Sequence, residues 1–132
     1  MKILDFQVRS AQLSPECYVV SVDGELDVHT APELEQAFGT ILARGGRTVV
    51  VDFVGLDFID SAALAVLLRA EPRFRDRGGR IVLVTEDRRI LRTFEITGLD
   101  RKFDIEPRLD YAVEQMLSAS MESAATDGGA AA

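Results

Sequence analysis

The stretch VVVDFVGLDFIDSAALAVLL, residues 49–68, decides the architecture. Its first part belongs to TVVVDFV (48–54), a continuously apolar run of the kind buried on both faces of a parallel sheet. Its last part has helical spacing. Leu64, Leu67 and Leu68 are expected to point inward, and Arg69, Arg73 and Arg75 outward. Ala62, Ala63, Ala65 and Ala70 favour helix and allow close packing. Pro72 removes one backbone donor and is expected to kink the helix near Arg69. Between strand and helix stands Asp60-Ser61, which puts a lone hydroxyl at the mouth of the helix. A serine there can cap the helix, act as a nucleophile or carry an added charge. As a cap it accepts a hydrogen bond from an amide two or three residues on, a contribution of about 1 kcal/mol.

Upstream, ILDFQVRS (3–10) reads as an edge strand and CYVVSV (17–22) as a second strand. The short turn-like LSPE between them predicts a hairpin. The segment GELDVHTAPELEQAFGTILARGG (24–46) follows. Thr30 is a candidate N-cap, Pro32 lies in the first turn and Glu33 stands three residues past the cap. Leu34, Phe38, Ile41 and Leu42 recur at helical spacing until Gly45-Gly46, which predicts a helix over about residues 30–43.

Downstream, GGRIVLVTE (78–86) holds a turn and another buried strand, and DRRILRTFEITG (87–98) a third helix that stops at Gly98. FDIE (103–106) is a short strand and LDYAVEQMLSA (109–119) a last helix, with Phe94 and Leu99 expected in the core. The order β-β-α-β-α-β-α-β-α predicts a single α/β domain. Its sheet is mixed and mostly parallel, of about four to five strands, with an N-terminal β-hairpin and about four helices. The domain spans residues 1–118. Residues 119–132, ASMESAATDGGAAA, are expected to form a mobile tail.

The totals suit one soluble domain: 132 residues, 47% hydrophobic and 28% charged. A net charge of −7 repels nucleic acid and anionic membranes, so neither is expected as a partner, and it suits a protein with a basic docking face. One cysteine, Cys17, forms no internal disulfide and is read as a small buried strand residue. The opening MKILDF has no signal-peptide pattern, and no apolar run reaches the ~18 residues of a membrane span. A cytoplasmic location is expected.

Catalysis finds little support. His29 is the sole histidine and is read as a surface loop residue; Ser61 lies in no G-x-S-x-G elbow, and no HExxH, GxxxxGK[ST] or GxGxxG pattern occurs. No catalytic residue, metal ligand or cofactor is therefore expected. Asp27 and Asp60 each sit just past a strand in a loop leading into a helix. In a parallel sheet such loops gather at the carboxyl edge, which would bring both acids near Ser61. A phospho-accepting aspartate of the receiver type fits poorly, because the loop after IVLVTE has arginines and no lysine.

Three blocks, VDGELDVHTAPELEQAF, VVVDFVGLDFIDSAALAVLL and RRILRTFEITGLDRKFDI, resemble successive signatures of the STAS domain, and more closely those of bacterial anti-sigma factor antagonists. The resemblance implies a small non-catalytic domain that binds an anti-sigma factor, itself a serine kinase, and so releases a sigma factor. It implies phosphorylation of a serine at the start of the second helix, reversed by a serine phosphatase. The family pattern D-S-[ST]-G-L falls on Asp60-Ser61-Ala62-Ala63-Leu64, so Ser61 occupies the acceptor position. Glu25, Asp27 and Thr30 match the GELDxxT block; with Asp60, Ser61, Ala62 and Ala63 they are the expected partner-binding residues. Two departures stand out. Ala62 replaces a second hydroxyl residue, and Ala63 replaces a glycine, adding a methyl where the family keeps its docking surface bare. They support an alternative: a non-phosphorylated STAS scaffold that binds another regulator through the same loops.

Overall fold

The computed structural model describes residues 6–119, so the expected tail beyond residue 119 lies outside the described residues. The chain opens with an antiparallel hairpin of β1 (Gln7–Ser14) and β2 (Cys17–Leu26). Then come α1 (Ala31–Ala43), β3 (Thr48–Asp52), β4 (Leu56–Ile59), α2 (Ser61–Arg75), β5 (Arg80–Val84) and α3 (Arg88–Thr97). A 3-10 turn (Leu99–Arg101), β6 (Asp104–Glu106) and α4 over residues 109–119 complete it. The six-stranded sheet has the order β1-β2-β3-β5-β6, with β4 alongside β2. Every pairing except β1–β2 is parallel. β4 is the strand that the sequence reading leaves in a loop. It has only four residues, and it pairs with β2 across a register shift at Gly24/Glu25, so it shows no clean alternation.

The apolar runs of the central strands follow from burial on both faces, sorted with a period of two. Tyr18, Val20, Val22, Val49, Val51, Ile81 and Leu83 join the core under α1, α2 and α3. Their alternates Cys17, Val19, Val50, Val82 and Val84 meet Ala112 and Met116 of α4. Cys17 is buried there, as expected. Phe38 of α1 and Phe74 of α2 meet edge to face at 5.8 Å and 75°, which joins the two helices over the sheet. Gly79 permits the close approach of β5 to β3, since a side chain there would collide with the Arg47 carbonyl.

α2 differs from the sequence reading in two ways. Its inward face is Ala63, Leu64, Val66, Leu67, Ala70 and Phe74, while Leu68 lies on the margin of that stripe and is exposed. The helix also runs without interruption through Pro72 to Arg75. Pro72 has no N–H to donate to the Leu68 carbonyl, and the helix continues past this one missing bond. Glu71 beside it receives Arg75 at 2.8 Å and Lys102 at 3.5 Å, fastening this end of α2 to the 3-10 turn. Phe94 is fully buried, and Leu99 packs half-buried against the same core.

Candidate functional site: a helix mouth at the carboxyl edge of the sheet

β2 and β4 run parallel with Leu26 opposite Ile59, and the Asp60 amide donates to the Leu26 carbonyl at 3.1 Å. Asp27 and Asp60 therefore leave the sheet side by side, each at the carboxyl end of its strand. The convergence follows from strand register and puts Ser61 next to both loops.

Asp60 is the N-cap of α2. Its backbone is still extended, at φ −124° and ψ −175°. Its Oδ1 accepts from the amides of Ala62 at 2.9 Å and Ala63 at 3.3 Å, and its carbonyl accepts from Leu64 at 3.2 Å. This corrects the reading of Ser61 as the cap. Serine and aspartate cap about equally well. β4 stays extended until residue 60, so the aspartate holds the capping backbone. Ser61 is the first helical residue. It is exposed, and its hydroxyl makes no hydrogen bond among the described residues. Asp60→Ala is accordingly expected to cost about 1 kcal/mol of stability and Ser61→Ala almost nothing, measured by urea denaturation. Equal losses at both positions would return the capping role to the serine.

Asp27 organises the entry to α1. Its Oδ1 accepts from the amides of His29 at 2.9 Å and Thr30 at 3.1 Å, and its carbonyl accepts from Ala31 at 2.7 Å. Thr30 is no forward cap, contrary to expectation. Its backbone is already helical, and its hydroxyl reaches back, donating to the Glu25 carbonyl at 2.7 Å and accepting from the Asp27 amide at 2.9 Å. The GELDxxT spacing thus encodes a knot of hydrogen bonds that fixes the loop after β2.

The amide of His29, foremost, holds the Asp27 carboxyl below its ordinary 3.8; desolvation opposes it as the second-largest effect, and the amide of Thr30 adds to the lowering. A depressed acid stabilises the fold above its unfolded-state pKa, and the contribution is lost as pH falls through the lower folded-state value. An NMR titration is expected to give Asp27 a midpoint below 3.8, with the His29 and Thr30 amide shifts moving in step. A midpoint at or above the ordinary value would contradict the knot.

The other expected residues divide by exposure. Glu25 and His29 are exposed and Ala62 is half-buried. Ala63 is fully buried, so its methyl fills the core beneath α2 instead of facing a partner; its place on the inward stripe of the helix is the reason. Val28, Val54 and Phe58, which the sequence reading passes over, are exposed in the turns after β2 and β3 and in β4.

The family model of the STAS domain matches residues 9–112. The chain belongs to the STAS domain family. Among curated relatives, this STAS domain is similar to the anti-sigma-B factor antagonist of Listeria monocytogenes, 32% identical over 87 residues that cover 66% of this chain and 76% of that one. It is likewise similar to the crystal structure of an anti-sigma factor antagonist from Mycobacterium paratuberculosis, with a TM-score of 0.76, 30% identity and coverage of 85% and 94% of the two chains. SpoIIAA shares the fold in its unphosphorylated form, at a TM-score of 0.74, 21% identity and coverage of 86% and 97%. It does so too in its phosphorylated form, at 0.66, 22%, 84% and 98%. No helix of this STAS domain is long and apolar enough to cross a membrane among the described residues.

Proposed function

We propose that this STAS domain is an anti-sigma factor antagonist that docks reversibly on an anti-sigma factor and thereby releases a sigma factor. The anti-sigma factor is a serine kinase, it supplies the ATP, and it phosphorylates Ser61; a serine phosphatase reverses the step. The domain has no catalytic role of its own. The observation that carries this reading is the exposed hydroxyl of Ser61 at the first position of α2, which makes no hydrogen bond among the described residues. The relatives named as anti-sigma factor antagonists support the role, and the two forms of SpoIIAA are consistent with a fold that persists with and without phosphate.

The physics favours a docking switch over an unfolding switch. A phosphate adds about −1.5 to −2 charges near neutrality. A helix N-terminus attracts an anion, but here the Ala62 and Ala63 amides are already engaged by Asp60. The new charge therefore meets two neighbouring aspartates and free solvent, and it is directed at whatever sits on the helix mouth. Ala63 is buried, so its methyl does not face the helix mouth, and Ala62 is the departure that lies nearer the surface.

The test is transfer of phosphate from ATP by the purified anti-sigma kinase of the same cell, with the modified residue mapped by mass spectrometry. Phosphate on Ser61, absent from Ser61→Ala, is the expected result. No transfer, together with unchanged binding of Ser61→Asp, would overturn the proposal.

A further inference from the structure

Seven large apolar side chains are more than a third exposed among the described residues. Scattered singly, such residues need no explanation. Three of them lie in β4 or in the turns after β2 and β3: Val28 after β2, Val54 after β3, and Phe58 in β4, at 62%, 69% and 46% exposure. Phe58 is the only aromatic of the three. It lies opposite Glu25 in the β2–β4 register, while Leu56 and Ile59 of the same short strand turn into the core. The strand thus has apolar residues enough to bury, and it leaves its largest one in solvent three residues before Ser61.

The surroundings are acidic. Glu25 and Asp57 flank Phe58 across and along the strands, and Asp27 and Asp60 follow at the strand ends. Arg89 of α3, whose guanidinium feels the charge of Asp57, is itself engaged by Asp87 at 2.8 Å. An apolar centre framed by carboxylates is complementary to a protein surface with an apolar recess inside a basic rim.

We infer that Phe58 is the apolar anchor of this docking face, and that it inserts into such a recess on the anti-sigma factor beside the contact made by Ser61. The inference rests on the proposed antagonist function. It assigns the affinity to Phe58, the association rate to Glu25 and Asp57, and the control to Ser61.

The test is calorimetric titration of the purified anti-sigma kinase with the wild-type chain, Phe58→Ala, Phe58→Leu, Ser61→Asp and Leu13→Ala. Leu13 is 41% exposed but lies at the opposite end of the hairpin, so it is the matched control. Phe58→Ala is expected to bind at least ~10-fold more weakly, as truncated anchors do, with Phe58→Leu recovering much of the loss and Leu13→Ala unchanged. Thermal unfolding of each variant separates lost binding from lost fold. Wild-type affinity in a folded Phe58→Ala, with Ser61→Asp still impaired, would overturn the anchor and leave the antagonist function standing. No binding by the wild-type chain would overturn both.

Discussion

Ser61→Asp is expected to weaken the complex with the anti-sigma factor by about thirtyfold or more, the effect of losing a central contact worth about 2 kcal/mol. The substitution puts a fixed charge where, under the proposed function, the partner meets a neutral hydroxyl. Both flanking loops already present carboxylates, Asp27 and Asp60, so the added charge joins two acids at the helix mouth. Stability should hardly change, because Ser61 is exposed and the helix keeps its Asp60 cap. Ser61→Ala should bind like wild type and resist modification. Calorimetric titration and thermal unfolding, run on the same samples, check both halves. A variant that binds fully, or that binds poorly because it has unfolded, would contradict the mechanism.

Phe74→Ala is expected to have the largest effect on stability, a loss of about 3–5 kcal/mol. Phe74 is fully buried on the inward face of α2, and its edge-to-face partner Phe38 is the main aromatic contact between α1 and α2. Truncation leaves a cavity between two helices and the sheet, and the rigid strands beneath cannot close it. Against a typical native stability of about 5–15 kcal/mol, such a loss brings the domain close to unfolding at physiological temperature. Urea denaturation of the variant checks this. A change below about 1 kcal/mol would mean that the helices repack freely over the sheet.

Burial decided how much of the molecule could be read from its residues. TVVVDFV and RIVLV announce strands because both faces of the central sheet are covered, and their parallel order follows from the helices between them. The hairpin and the ends of α1 were legible from local chemistry at LSPE, Thr30-Ala31-Pro32 and Gly45-Gly46. β4 was not, because LDFI becomes a strand only through its long-range pairing with β2. That omission carried forward. With the extent of β4 unknown, Asp60 and Ser61 were equivalent as caps, and the exposed side of Phe58 had no pattern to reveal it. Thr30 was misread for a related reason, since its hydroxyl is taken by the Glu25 carbonyl, a partner visible only once the loop is closed. Ala63 shows the limit of a motif, which names the positions near a docking surface but not which of them face it.

The role of Ser61 is most directly tested by the affinity of the anti-sigma factor for the chain phosphorylated at Ser61, compared with the unmodified chain under the same conditions. A loss of about thirtyfold or more, with the fold and the helix cap intact by NMR, is the predicted result. Equal affinity of the two forms would contradict the gating of this surface by charge.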